Sequence, residues 1–357
     1  MNGPANAALA AGPQKVDVLS EGSPEVPLAW AIDLLARQYG LAGRLSPLTG
    51  ERDRNFLLET PAASYMLKVS HPAELPLVAD FQTQALLHIS ATDPTLPVQR
   101  IVPTLTGQPS LIAQPPGGDA RVVRLFSYLP GEPLPKAQRS QAQARELART
   151  LARLDLALRG FRHPAGELEL PWDIQRADRV RSLLDCVPDR ARRELATRAL
   201  DRFATNVQPR LSRLRAQPIH NDFNIYNVLV DPQDHARIAG VLDFGDMVHA
   251  PLIDDLAVAA AYQVDPAGDT MATLADFVAA YHAVLPLEAN EIDVLFDLVQ
   301  ARLVMVVAIS GWRAARHPEN APYLLRNNAV SWDRLAACDA IPTEQARNVL
   351  RRACGLA

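Results

Sequence analysis

Two short stretches concentrate polar chemistry in an otherwise apolar frame: "IHNDFNIYNVLV" at 219–230 and "GVLDFGDMVHAPLIDDLAVAAAY" at 240–262. In order they give His220-x-Asp222, then Asn227, then Asp243 followed by Phe244 and Gly245. The apolar runs "VLV" and "GVLDF", separated by "DPQDHAR", predict a hairpin whose ends bring Asn227 and Asp243 together. An amide oxygen and a carboxylate are hard ligands, the kind taken by Mg²⁺ bound to a polyphosphate. Asp222, on the loop before the hairpin, is then placed to orient an acceptor hydroxyl and take its proton as a phosphoryl group moves. Any one of these residues alone reads equally well as a turn, cap or strand end. The whole set in this order points to chemistry.

The rest of the chain must position that set. Its 357 residues exceed what one core usually organises, which predicts two lobes. Residues 1–24, rich in Ala, Gly, Pro and Asn, read as a loose tail. In 25–130 a helix over "PLAWAIDLLARQYG" precedes strands at Phe56–Leu58 and Tyr65–Val69, a helix over "LPLVADFQTQALLHISA", and a strand at "VRLFSYLPG". From 131 to 357 the chain is mainly helical apart from the two motif stretches. The expected class is α+β: a small N-terminal lobe with an antiparallel sheet and a helix, and a larger helical C-terminal lobe.

Composition excludes several partners. A net charge of -4 offers no basic field for nucleic acid. Cys186, Cys338 and Cys354 are too scattered for a zinc site and fit a reducing compartment. "MNGPANAALAAGPQKV" lacks the basic n-region of a signal peptide, and "LVMVVAIS" at 303–310 is too short to span a bilayer. The expectation is a cytoplasmic protein without a membrane partner. No G-x-G-x-x-G follows an early strand, which argues against a dinucleotide enzyme.

"HNDFNIYN" followed by "LDFGD" resembles the catalytic and metal-binding segments of the aminoglycoside phosphotransferase and choline kinase group, within the protein-kinase-like fold. The resemblance extends over nearly the whole chain after the tail. It implies Asp222 as catalytic base, Asn227 and Asp243 as Mg²⁺ ligands, His220 as a prop of the catalytic loop, and Asp255 as the aspartate that holds that loop from the following helix. Lys68 is the only lysine between Val16 and Lys136 and lies in an apolar strand, where an unpaired charge is costly. The resemblance makes it the lysine on the α- and β-phosphates. It likewise makes "LTGERDRNF", with Gly50 and Asn55, the nucleotide loop, and Ser127, Tyr128 and Leu129 the hinge for the purine. Two positions depart from the family pattern. The glutamate that normally pairs with the lysine is absent, leaving Gln82 or the less well placed Asp80, and Asn221 stands where a glycine is usual.

Within the group, "LDFGDMVHAPLIDDLAVAAAY", "LPWDI" and "ISGWRAARHPENAPYL" resemble hydroxylysine kinase and the phosphotransferase portion of bacterial aminotransferase fusions. The implied reaction moves the γ-phosphate of GTP or ATP to the hydroxyl of 5-hydroxy-L-lysine. Such an amino alcohol needs a carboxylate for its ammonium, for which Asp246 and the pair Trp172–Asp173 are candidates. Its own carboxylate needs a cation, for which Arg302 or Arg313 is available. The alternatives are a kinase for homoserine, choline, ethanolamine or an aminoglycoside, and a non-catalytic kinase-like nucleotide-binding module.

Overall fold

Apolar side chains build the first of two compact units, which takes in the described residues up to Ala79 together with Ile101–Tyr128. The computed structural model describes residues 24–48 and 52–356, so the expected tail up to residue 23, and Gly50, lie outside the described residues. Helix α1 (Leu28–Tyr39) buries Ala31, Leu34, Leu35 and Tyr39 and stops at Gly40, whose left-handed φ of 66° suits a residue without Cβ. It packs on a sheet formed by β1 (Arg44–Leu48), β2 (Arg54–Glu59), β3 (Ser64–Val69), β4 (Ile101–Val102), β5 (Leu111–Ala113) and β6 (Arg121–Ser127). The order is β1-β2-β3-β6-β4, with β5 also paired to β6, and every pair is antiparallel. Pro47 is accommodated because β1 lies at the sheet edge. The strands β4 and β5 are absent from the sequence reading because two or three residues carry no readable alternation.

Strand period sorts the residues that matter. Phe56 and Leu58 of β2 and Leu67 and Val69 of β3 enter the core, which sends Lys68 to the opposite face. There it registers with Asn55 on one neighbour and Arg124 on the other.

The second unit holds Asp80–Arg100 and everything from Leu129 onward. Its first segment is most of α2 (Pro76–Thr92), where Phe81 stacks on Phe161 at 5.9 Å between ring centroids. Arg153 donates to Asp93 at 2.7 Å and Val98 bridges Val241, so Asp80–Arg100 is tied to later elements of its own unit. The remaining helices are α3 (Gln141–Ala157), α4 (Arg190–Arg202), α5 (Leu252–Ala261), α6 (Thr270–His282), α7 (Ala289–Arg316), α8 (Ala321–Leu324), α9 (Asn328–Asp339) and α10 (Thr343–Ala353). Every residue of α5 is buried, as is every residue of α7 from Val294 to Ser310, the stretch that contains "LVMVVAIS". Among the described residues no helix is long and apolar enough to cross a membrane.

Five short strands frame the motif stretches: β7 (Glu132–Pro133), β8 (Ala216–Ile219), β9 (Val228–Asp231), β10 (Asp234–Val241) and β11 (Val248–Pro251). The hairpin is β9–β10, with Val228 opposite Val241 at its open end and β7 on its outer edge. A second pair, β8–β11, sets Ile219 opposite Val248. Two loops, 220–227 and 242–247, therefore run between the same two strand pairs. Each pair fixes one end of both loops.

Gly43 leads into β1, and a Cβ there would lie 2.1 Å from the Glu59 carbonyl oxygen. Gly43→Ala is expected to cost about 1–3 kcal/mol, because backbone cannot yield as a flexible side chain does. An unchanged urea midpoint would show that this end of β1 relaxes freely.

Candidate active site

The loop that carries Asp222 is held from below by a buried carboxylate. Asp255, in the first turn of α5, accepts the backbone N–H of His220 at 2.9 Å and that of Asn221 at 2.8 Å. His220 is wholly buried; its Nδ1 accepts the Asp222 N–H at 3.2 Å, and its Nε2 faces the Leu242 carbonyl at 3.0 Å. These partners assign the tautomer with the proton on Nε2, and the ring ties loop 220–227 to loop 242–247. Asn221 adopts φ 63°, a left-handed conformation that asparagine tolerates better than most side chains and that glycine reaches without strain. Its Nδ2 donates to the Asp246 carbonyl at 3.0 Å, a second tie between the loops.

Beneath Asp255 lie two residues that the sequence reading missed. The Tyr281 hydroxyl donates to Asp155 at 2.5 Å, while the other Asp155 oxygen has no conventional donor among the described residues. Burial, and next the charge of Asp255, push the Asp155 carboxyl well above its usual range. A proton on Asp155 given to Asp255 satisfies both groups, so the chain Tyr281–Asp155–Asp255 ends on the two loop N–H groups.

Asp222 has a partner on each oxygen. Asn227 Nδ2 donates to Asp222 Oδ2 at 2.7 Å and to its backbone carbonyl at 3.0 Å, which turns Asn227 Oδ1 outward without a donor among the described residues. Arg302 of α7 reaches Asp222 Oδ1 at 3.2 Å, bonds the Trp172 carbonyl at 3.2 Å and lies over the Trp172 ring at 5.0 Å. Burial pushes the Asp222 carboxyl upward; Arg302 and a bond from Asn224 oppose this, Asp243 adds repulsion, and the balance is upward. Asp243 is exposed and held at φ 58°, with its Oδ1 accepting the Gly245 N–H at 3.1 Å. Two carboxylates near enough to repel, with an unengaged amide oxygen beside them, form an oxygen donor set that a hard divalent cation such as Mg²⁺ suits.

The other candidates fall in varied places. Asp246 is half-buried on the same loop as Asp243. Asp173 is buried as an N-cap, accepting from Gln175 at 3.0 Å and lying 3.3 Å from Arg176, so its carboxylate is engaged in structure. Trp172 serves as the platform under Arg302, and Arg302 itself is engaged with Asp222. In the first unit Lys68 is paired at 3.0 Å with Asp53, a residue absent from the sequence reading. Burial presses the Asp53 carboxyl up, but Lys68 and the His71 N–H outweigh it and bring the group below its usual value. Asn55 lies opposite Lys68 with a buried Oδ1 that has no donor among the described residues. Ser127 ends β6, and the Tyr128 N–H is given to Ser64 at 3.0 Å. Leu129 begins the longer segment of the second unit, with Cδ1 3.1 Å from where a Cβ would stand on Gly240. In that unit Gln82 is buried, and Asp80 accepts from Gln84 and faces His163 at 3.0 Å.

Comparison with known proteins follows the same lines. The model of the phosphotransferase enzyme family matches residues 44–295. Hydroxylysine kinase of Mus musculus is 26% identical over 338 residues, 88% of this chain and 90% of that protein. Hydroxylysine kinase of Danio rerio is 27% identical over 318 residues, 85% and 89% of the two chains. Among solved structures, an amicoumacin kinase superposes with a TM-score of 0.63 at 14% identity, over 88% of this chain and 94% of that one. A microcompartment-associated aminopropanol kinase gives 0.61 at 19% identity, over 92% and 99%. These structural likenesses establish the kinase-like α+β fold.

The network under the loop makes a paired prediction. Asp255→Ala leaves two buried N–H groups without an acceptor and is expected to cost about 2–4 kcal/mol in urea denaturation. Asp155→Asn keeps a donor toward Asp255 and is expected to cost less than about 1 kcal/mol. Equal losses in the two variants would contradict the shared proton.

Proposed function

The chain belongs to the phosphotransferase enzyme family, a small-molecule kinase with an alcohol as acceptor, and we propose that its acceptor is 5-hydroxy-L-lysine and its donor GTP or ATP. The observation that carries this reading is the match to hydroxylysine kinases over most of both chains. Asp222 is assigned as the base that receives the hydroxyl proton. Its environment supports the assignment: one oxygen is aligned by Asn227 and the other by Arg302, so the carboxylate is held in place before substrate arrives.

Asn227 and Asp243 are assigned as the Mg²⁺ ligands, through the amide oxygen and the exposed carboxylate. The ion, when bound, neutralises phosphate charge that develops during transfer. Lys68 is assigned to the phosphates, with Asp53 in place of the helix glutamate as the group that fixes its ammonium. Gly50 and Asn55 are assigned to the nucleotide loop, and Ser127, Tyr128 and Leu129 to the hinge. Residues 25–130 are taken as the nucleotide lobe and 131–357 as the catalytic lobe, with the protein acting in the cytoplasm. Asp246 is assigned to the acceptor's ammonium, as a half-buried carboxylate three residues past Asp243 on the same loop.

The test is steady-state phosphoryl transfer with Mg²⁺ and GTP or ATP against 5-hydroxylysine, homoserine, choline, ethanolamine and kanamycin. Saturable turnover on 5-hydroxylysine, well above the other acceptors, is the expected result, and the better donor is read from the same assay. Preferential turnover of another acceptor would replace the substrate. In a parallel titration, Asp243→Ala should weaken Mg²⁺-dependent nucleotide binding by at least about tenfold. An unaltered Mg²⁺ dependence would remove Asp243 from the metal site.

A further inference from the structure

An acceptor that carries a carboxylate needs a cation whose donors are not already engaged. Arg302 does not meet that condition, because its guanidinium is buried and bonded to Asp222 and to the Trp172 carbonyl. Arg326 does meet it. It lies just beyond α8, exposed, and its guanidinium has no hydrogen bond or ion pair among the described residues. It is held instead by two aromatic rings, with Cζ 4.4 Å from the Tyr226 centroid and 4.1 Å from that of Tyr323. Cation–π contacts with two rings hold the guanidinium without using its N–H donors, which stay available to a bidentate carboxylate.

The position of the clasp gives it meaning. Tyr226 lies in the catalytic loop, four residues after Asp222 and next to Asn227. Its N–H is bonded to Asn224 Oδ1 at 2.7 Å and its hydroxyl donates to Asn327 Oδ1 at 2.9 Å, so the ring is fixed at both ends. The following residue, Asn328, bonds the Val307 carbonyl at 3.1 Å and Ser310 Oγ at 2.9 Å, which anchors the segment on α7. The cation is thus tied to the loop that carries the base, not left on a loose side chain.

We infer that Arg326, clasped by Tyr226 and Tyr323, binds the carboxylate of the acceptor and so selects hydroxy amino acids over amino alcohols that lack one. This rests on the reading of the acceptor as 5-hydroxylysine. The reaction itself does not need Arg326; the choice of acceptor does.

The experiment compares 5-hydroxylysine with its decarboxylated analogue, 2-hydroxy-1,5-diaminopentane, on wild type, Arg326→Gln, Arg326→Lys and Tyr323→Leu. Wild type should favour the carboxylate-bearing acceptor by about 10- to 100-fold in kcat/KM, the range of a charge-assisted pair. Arg326→Gln should raise KM for 5-hydroxylysine by that factor, leave the analogue and the nucleotide KM alone, and reduce the preference to within about threefold. Arg326→Lys and Tyr323→Leu should fall between, since each removes half of the arrangement. An undiminished preference in Arg326→Gln would overturn the inference, as would an equal fall in kcat on both acceptors or a change confined to the nucleotide KM. If wild type instead prefers homoserine, the substrate reading fails alone, and the same comparison on homoserine and 3-aminopropanol decides the role of Arg326. A preferred acceptor without a carboxylate, or no turnover on any acceptor, would sink both.

Discussion

The buried Asp255 carboxylate is the constraint on which the rest of the site depends. Two consecutive N–H groups, those of His220 and Asn221, point at one side chain from α5. With that anchor the loop takes its sharp course through φ 63° at Asn221, and the next residue emerges as Asp222. Isolated charge at this depth is costly, and the donors that surround it make it tolerable: two from backbone and one from Asp155, backed by Tyr281. The adjacent Asp254 shows the contrast. Neither of its oxygens has a donor among the described residues, and burial with the charges of Asp173 and Asp255 drives it well toward the neutral acid.

Around Asp222 the charges are arranged so that none stands alone. Arg302 and Asn227 take one oxygen each, and Asp243 adds a second negative centre on the facing loop. The net demand is for a cation at the outer edge, where the amide oxygen of Asn227 and the exposed Asp243 offer ligands. The first unit repeats the device on a smaller scale with Lys68 and Asp53, each mostly buried and 3.0 Å apart. In both places a charged side chain is positioned by an opposite charge before any ligand binds, which is where preorganised sites gain their advantage.

What was legible in the sequence was local. His220, Asp222, Asn227 and Asp243 lie within one hairpin and its flanks, so spacing along the chain translates directly into nearness in space. The sheet of the first unit was visible from β2 and β3, which alternate over six residues, and from the seven-residue β6, which is almost wholly buried. Distant partners were not legible. Arg302 meets Asp222 across 80 residues, Tyr281 meets Asp155 across 126, and Arg326 lies on Tyr226 from a separate segment. Asp155 sits among arginines on a helix whose polar residues resemble a solvated face, and only packing shows it to be buried. One signal was available for Arg302: a lone arginine inside "QARLVMVVAIS" has to find a partner when that helix is buried. The family pattern puts a glutamate on the helix after the lysine strand, whereas here Asp53, from beside β2, pairs with Lys68.

The most direct test of the account is the rate of phosphoryl transfer in Asp222→Asn, measured beside its affinity for Mg²⁺-nucleotide. The substitution keeps the shape of the side chain and removes its capacity to take a proton. The account predicts a fall in kcat of about 10²–10⁴-fold, the usual contribution of a positioned base, with nucleotide affinity changed by less than about threefold. A variant that turns over at near the wild-type rate would show that another group receives the proton, and the reading of this loop as the catalytic centre would fall with it.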